Sequence, residues 1–406
     1  MMQAPIPLEE AQARLLALAA PLPVERVDMG SALGRYLAEP LLARRTQPAC
    51  DLSAMDGYAV PPGDLTGPWQ VVGESAAGHP SPTPAAPGRA IRISTGAVMP
   101  PGAGAVILQE DLRRDSDRIT LIGTAPSPEH KHIRREGMDF SAGDEVLAAG
   151  ARIGPAQLAL AIAAGYNHLG VRRLPRVAVI DSGDELASDC EACALHQIPA
   201  SNGAMLAALA ASLPCRISPL GPVPDDLDAL ARALDAAADA DVVVTSGGAS
   251  VGDHDLIRPA LEAWGAEIDF WRIAIKPGKP LLVARRERPG GGRQVVLGLP
   301  GNPVSSHVTA FLFLLPLLRA LSGASLAVPR TIPARLAAPL PAGGRRREFL
   351  RGRWDGQVVA AHRQQDSGAL SSLATSNVLI DRPIDAPPAA AGDEVPIYLL
   401  ETGGMA

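Results

Sequence analysis

A multidomain α/β architecture is predicted, and three observations carry the prediction. Between about residues 171 and 321 the hydrophobic period switches repeatedly between short strands and helices, the signature of an open, mainly parallel sheet. From Trp69 to about Asp144, apolar runs such as Ile91-Arg92-Ile93 and Ala105-Val106-Ile107-Leu108 alternate with Pro/Gly clusters, as in an all-β module. Beyond Val328-Pro329, short strands describe a small β-barrel. The expected divisions are an N-terminal helical linker region of residues 1–45 with 145–172, an inserted β-rich module of 46–144, a βα-alternating domain of 173–325 and a barrel of 326–406.

In chain order, residues 8–20 read as a helix and 31–42 as a second, before Pro48 ends the pattern. Residues 78–88 are Pro-rich and read as an exposed loop, and Pro155 opens an Ala/Leu helix to about Tyr166. In the α/β region the strands are expected at 177–180, 216–220, 241–245 and 295–299. Its helices are expected at 202–213, 226–238, 255–264 and 302–321. The apolar run 310–318 is too short to span a membrane and contains Pro316.

With 47% hydrophobic residues in 406, the chain can build real cores. Its net charge of −6, with no basic run longer than Arg345-Arg346-Arg347, argues against a nucleic-acid partner. Four cysteines are too few for a disulfide framework and fit a reducing, cytoplasmic setting. Glu9 and Glu10 ahead of the Leu15-Leu16-Ala17-Leu18 run favour an amphipathic helix over an export signal, so no membrane is expected. Cys190-x2-Cys193-x2-His196 offers three metal ligands where structural zinc takes four; the alternative is a surface loop carrying two thiols.

The chemistry concentrates after the strand Val242-Val243-Val244-Thr245, which runs into Ser246-Gly247-Gly248 and so places turn amides at a strand carboxyl end. Of 37 basic residues only three are lysines, and two of these, Lys276 and Lys279, stand in Lys276-Pro277-Gly278-Lys279. A compact, mobile charge in a chain that otherwise uses arginine suits an oxyanion. Pro300-Gly301-Asn302-Pro303 begins a helix, whose amides and dipole add to that cradle. Asp184, Glu185, Asp225, Asp226 and Asp255 offer the oxygen ligands that Mg²⁺ prefers. Asp56, in Ser53-Ala54-Met55-Asp56-Gly57-Tyr58, is by spacing either a turn cap or a presented carboxylate, and Thr95-Gly96 sets a hydroxyl at a strand end.

These motifs, with Ser182-Gly183-Asp184-Glu185-Leu186, Ser246-Gly247-Gly248-Ala249-Ser250-Val251-Gly252 and Pro303-Val304-Ser305, resemble in order those of the molybdopterin molybdenumtransferases, the bacterial relatives of the gephyrin E domain. The resemblance runs over about residues 8–400. It implies an enzyme that takes adenylylated molybdopterin and molybdate, hydrolyses the adenylate with Mg²⁺ and leaves molybdenum on the dithiolene. It also implies an elongated homodimer in which Asp56 and Thr95 reach the partner's crevice. Catalytic roles then fall on Asp56, Thr95, Glu185 and Asp255, and Mg²⁺ ligation on Asp184, Glu185 and Asp255. Ser182, Gly183, Asp225, Asp226, Ser246, Gly247, Gly248, Ser250, Lys276, Lys279, Pro300 and Asn302 would bind the pterin substrate or molybdate. Molybdopterin adenylyltransferase and molybdoenzyme acceptors are the implied partners. The sister adenylyltransferases carry a GGTG turn where this chain has Gly247-Gly248-Ala249-Ser250. The chain departs from its relatives at Gly104 and Ala200, where they usually carry Asp, and at Ser182, where they usually carry Thr. Loss of two carboxylates motivates the alternative of a non-catalytic cofactor carrier or scaffold.

Overall fold

The structure, a computed structural model, describes residues 5–63, 65–247, 256–288 and 291–400, with the side chains of Phe270 and Trp271 left aside. The chain divides into two compact units: Pro40–Ala148 with Gly154–Leu169, and Met1–Glu39 with Ala149–Ile153 and Gly170–Ala406.

The smaller unit is built on a six-stranded sheet whose central strands are Gly57–Val60, Arg89–Ile93 and Trp69–Ser75. Gly57–Val60 is buried on both faces and pairs antiparallel with Arg89–Ile93 and Ala105–Leu108. The sheet thus begins before Trp69, and in the 78–88 segment Ser81 and Ala85 are buried. Pro155–Ala163 is helical, with Pro155 in its first turn.

In the larger unit, β1 (Arg176–Ser182), β2 (Arg216–Val223), β3 (Val242–Ser246), β4 (Glu267–Arg272), β5 (Pro280–Glu287) and β6 (Arg293–Leu299) form one sheet in the order β2-β1-β3-β6-β5-β4. β1, β2, β3 and β6 are parallel, whereas β5 and β4 are antiparallel additions at one edge. The edge strands were not legible, because Pro280–Glu287 reads as a continuation of the Lys276–Lys279 turn. Helices Asn202–Ala210, Leu227–Ala236 and Ile257–Ala263 cover the sheet faces, each where the period predicts one.

The 302–321 run forms a single helix, Pro303–Leu321, with a π-helical turn at Ala310–Leu314. By length and composition it could cross a membrane, with a mean hydropathy of 1.6, yet 89% of that window is buried within the protein. Phe311, Leu312, Phe313, Leu314, Leu315, Leu317 and Leu318 are wholly buried, so every side of the helix is packed. One side meets Val179, Val244 and Leu297 of the sheet; others meet Leu8, Ala11 and Leu15 of the N-terminal helix Leu8–Leu16 and Phe349, Leu379 and Tyr398 of the C-terminal strands.

Those strands, β7 (Ile332–Leu336), β8 (Arg347–Trp354), β9 (Val358–Ala361), β10 (Val378–Arg382) and β11 (Glu394–Leu399), run β8-β9-β7-β11-β10, and β10 pairs back onto β8. A closed five-stranded barrel results, as expected. The helix expected at 31–42 is instead one turn, Met29–Ala32, followed by extended chain. Gly34 and Pro40 interrupt the pattern, and Leu37 and Ala38 give their N–H groups to Ala151 and Gly170.

Asp241, 1% exposed, ties the amino-terminal ends of the strands together. Its carboxylate accepts two bonds from the Arg173 guanidinium, at 2.8 and 2.9 Å, one from Arg288 at 2.8 Å and one from the Arg176 N–H at 2.9 Å. Burial pushes its pKa up, but Arg173, the Arg176 amide and Arg288 outweigh that and hold it below its ordinary 3.8. Asp241→Ala should cost about 3–5 kcal/mol in urea unfolding, because it strands two part-buried guanidinium groups. The wild-type advantage should be complete above about pH 4 and drain away as pH falls through the lowered folded pKa.

Candidate functional site

The carboxyl ends of the parallel strands bring the expected segments together. β1 ends in buried Ser182, whose neighbour Gly183 gives its N–H to Val223 at the end of β2. β3 ends at Ser246, in register with Asp181 of β1, and Gly247 lies between the Ser182 carbonyl and Gly301. Gly248, Ser250 and Asp255 fall outside the described residues. Asn202 donates its side-chain amide to the Gly301 carbonyl at 2.7 Å and so fixes the turn before the buried helix. Pro300, Asn302, Ser182, Gly183, Ser246 and Gly247 thus share one crevice floor.

Basic residues border it. Gly278, at φ +101°, lets the Lys276–Lys279 turn lie directly on the buried helix; a β-carbon there would sit 2.4 Å from the Thr309 Oγ1. Lys279 is exposed, and its backbone carbonyl accepts from Ile273 at 2.9 Å. Lys276 Nζ lies 2.8 Å from Glu348 of the barrel, a partner the sequence did not reveal. Of the amides expected to be free at the helix start, that of Val304 is taken by the Ser367 carbonyl at 3.0 Å. The buried hydroxyls of Thr245, Ser306 and Thr309 have no partner among the described residues, which suits a floor made to meet a polar ligand.

Acidic residues stand opposite, on the β1 and β2 loops. Asp184 Oδ1 accepts from the Asp225 N–H at 3.0 Å. Burial and the charges of Asp184 and Glu185 push the Asp225 carboxyl above its ordinary value. Asp181 is 5% exposed, and its carboxylate accepts from the Gly203 N–H at 2.9 Å; burial holds its pKa above the ordinary range, with Glu185 acting the same way. Its position inside a strand gave no sequence signal of this. Asp184, Glu185 and Asp225 are hard oxygen donors in mutual repulsion, a set that a divalent cation would relieve. Among the described residues, no group of three or more His, Cys, Asp or Glu is placed to hold a metal, and exposed Cys190 and half-buried Cys193 are free thiols.

Asp56 and Thr95 belong to the smaller unit. Asp56 is exposed, and its Oδ1 accepts from the Thr95 N–H at 2.6 Å, so it both caps a turn and presents a carboxylate. The Thr95 amide and hydroxyl, with the Arg92 charge, keep it ionised by lowering its pKa. The departure at Gly104 has a local reason: a β-carbon there would lie 2.6 Å from the Pro62 ring, so this chain excludes the usual carboxylate by packing.

Asp226 begins the helix Leu227–Ala236, its carboxylate accepting from the Ala229 N–H at 2.8 Å. Asp226→Ala should therefore lower stability by about 1 kcal/mol in thermal or urea unfolding. The loss of ligand affinity should be no more than that destabilised helix start conveys.

Family models describe the MoeA N-terminal region (domains I and II) over residues 6–165, a probable molybdopterin binding domain over 178–320 and the MoeA C-terminal region (domain IV) over 333–400. The chain is 35% identical over 390 residues to a Nostoc molybdopterin molybdenumtransferase, covering 93% of this chain and 88% of that one. It is 37% identical over 320 residues to the enzyme of that name from Haemophilus influenzae, covering 78% of each. A crystal structure of a molybdopterin biosynthesis moeA protein from Pyrococcus horikoshii superposes with a TM-score of 0.83 at 27% identity, over 98% of this chain and 100% of that one. With matches to all three regions in order and relatives 35–37% identical over most of the chain, the chain belongs to the MoeA family of molybdopterin molybdenumtransferases.

Proposed function

We propose that this chain inserts molybdenum into molybdopterin, taking adenylylated molybdopterin and molybdate and releasing AMP by a Mg²⁺-dependent hydrolysis. Its place in molybdenum cofactor biosynthesis follows from its family. What supports the finer reading is that Lys279 and the start of the buried helix lie at the same end of the sheet as Asp184, Glu185 and Asp225, the basic and acidic groups following different strands. The basic side suits phosphate or molybdate oxygens, and the acidic side suits a hard cation. Asp184 and Glu185, with Asp255, would hold Mg²⁺, which when bound would neutralise charge on the leaving phosphate. Ser182, Ser246 and the Gly247 turn would orient the pterin substrate, while Lys279 would attract the anion. Four free cysteines suit a reducing cytoplasm.

AMP release is the direct test: molybdate-dependent AMP release with metal retained on the pterin is expected. Tight binding without AMP would favour the carrier reading. Lys279→Ala should lower the apparent affinity for molybdate about tenfold or more, with stability changed by less than about 0.5 kcal/mol because the side chain is exposed. Full activity in that variant would remove Lys279 from the cradle.

The chain is further proposed to act as a homodimer in which Asp56 and Thr95 of one protomer complete the crevice of the other. Asp56→Ala and Lys279→Ala, co-refolded in equal amounts and assayed at a molybdate concentration too low for Lys279→Ala alone to turn over, should then regain up to about a quarter of wild-type turnover. Half of the dimers are mixed, and each mixed dimer has one intact site. Sites completed within one chain would give no recovery.

A further inference from the structure

At the end of the sheet opposite the strand carboxyl ends, a small, partly open cavity is lined by Arg35, Tyr36, Arg172, Arg173, Pro214 and Ser322. Pro175 and Pro214 there precede β1 and β2, so the cavity lies beneath the strand starts. About 10 Å³ of it admits the centre of a water-sized particle, room for one.

Its walls are unusually cationic. Arg173 is neutralised by Asp241. The Arg35 side chain is 8% exposed; its Nη2 donates to Glu25 and to the Arg172 carbonyl, and its Nε–H is buried without a partner. Arg172 gives Nη1 to the Leu22 carbonyl at 3.1 Å, forms no ion pair with a described carboxylate, and also leaves a buried Nε–H unpartnered. Gly323 packs on that side chain, where a β-carbon would lie 3.1 Å from Cγ and 3.4 Å from Nε. Behind Tyr36, Arg319 is 2% exposed and bonded to the tyrosine hydroxyl; burial lowers its pKa, and Arg152 adds to that.

An orphaned buried N–H costs about 1–3 kcal/mol, and Arg172, half-buried, adds a guanidinium charge with no described carboxylate beside it. Two such donors on one cavity, with one guanidinium charge in excess, describe a receptor for a single negative charge. Water would satisfy the donors but leave the charge. Tetrahedral oxyanions such as sulfate or molybdate exceed the space, whereas a halide is little larger than water.

We infer that the cavity between Arg35 and Arg172 is a structural site for one small monovalent inorganic anion, chloride under ordinary conditions. The anion accepts from both Nε–H groups and joins the segments around residues 35, 172 and 322. It takes no part in the crevice chemistry.

The test is thermal unfolding of the full chain at constant ionic strength, with chloride replaced stepwise by gluconate, which is too large to enter. Chloride should raise Tm along a saturating curve, bromide should do the same, and sulfate should not. Arg172→Met, which removes the excess charge, should abolish the chloride dependence. Equal Tm in chloride and gluconate, an equal rise with sulfate, or the same chloride increment in Arg172→Met would overturn the inference. Should Arg172→Met not fold, anomalous diffraction from wild-type crystals grown in bromide decides: a peak between the two guanidinium groups is expected, and water alone there overturns it.

Discussion

A helix that is apolar on every side cannot be left on a surface, and the larger unit is arranged to cover one. Pro303–Leu321 requires a sheet face, an N-terminal helix and a barrel wall to remove it from water. Leu8–Leu16 and the strands Arg347–Trp354 and Val378–Arg382 supply what the parallel sheet leaves open. The same packing fixes where the helix begins. Asn302 is held at the strand ends because the next nineteen residues cannot shift without exposing leucine and phenylalanine. The turn before the helix is thus positioned by hydrophobic burial together with the bond from Asn202 to the Gly301 carbonyl.

The two ends of the sheet treat charge in opposite ways. At the amino-terminal end Asp241 is saturated by donors and contributes cohesion. At the carboxyl end burial, Asp184 and Glu185 raise the proton affinity of Asp225, and the hydroxyls of Thr245, Ser306 and Thr309 have no partner among the described residues. Departures from full polar satisfaction mark sites built for ligands. Thr245, Ser306 and Thr309 lie toward the end where an open α/β sheet binds its ligand, while Arg35 and Arg172 carry unpartnered donors at the opposite end.

Much of this was legible because the signals were local. Val177–Val179, Val242–Val244 and Val295–Leu297 are continuous apolar runs, as strands buried on both faces must be. Pro155 and Pro303 announce helix starts through their fixed φ. The antiparallel strands Glu267–Arg272 and Pro280–Glu287 were not legible, since the charges along them resemble a solvated loop until β6 pairs with the second and the second with the first. The 31–42 segment misled because its apolar spacing is helical while its backbone partners lie more than a hundred residues away. Candidate site residues stood out through rarity, as with Lys276 and Lys279. Glu348, Ser367 and Asp181 did not, because their roles arise only when distant segments fold together.

The sheet also ends in an asymmetric way. The barrel closes on itself and has no free strand, but Glu267–Arg272 is the last strand on its side of the mixed sheet. Among the described residues Ile6 continues the pairing, bridging Ile273 just beyond it. Glu267 and Asp269 share one face of this rim and Arg272 ends it, and Glu267 is bonded to Arg285 on the neighbouring strand. Such charges make the strand a poor template for a second chain, since each new pairing would have to strip them of water. Replacing them with uncharged β-formers would leave the fold intact in dilute solution and turn the rim into a seed for fibrous aggregates as concentration rises.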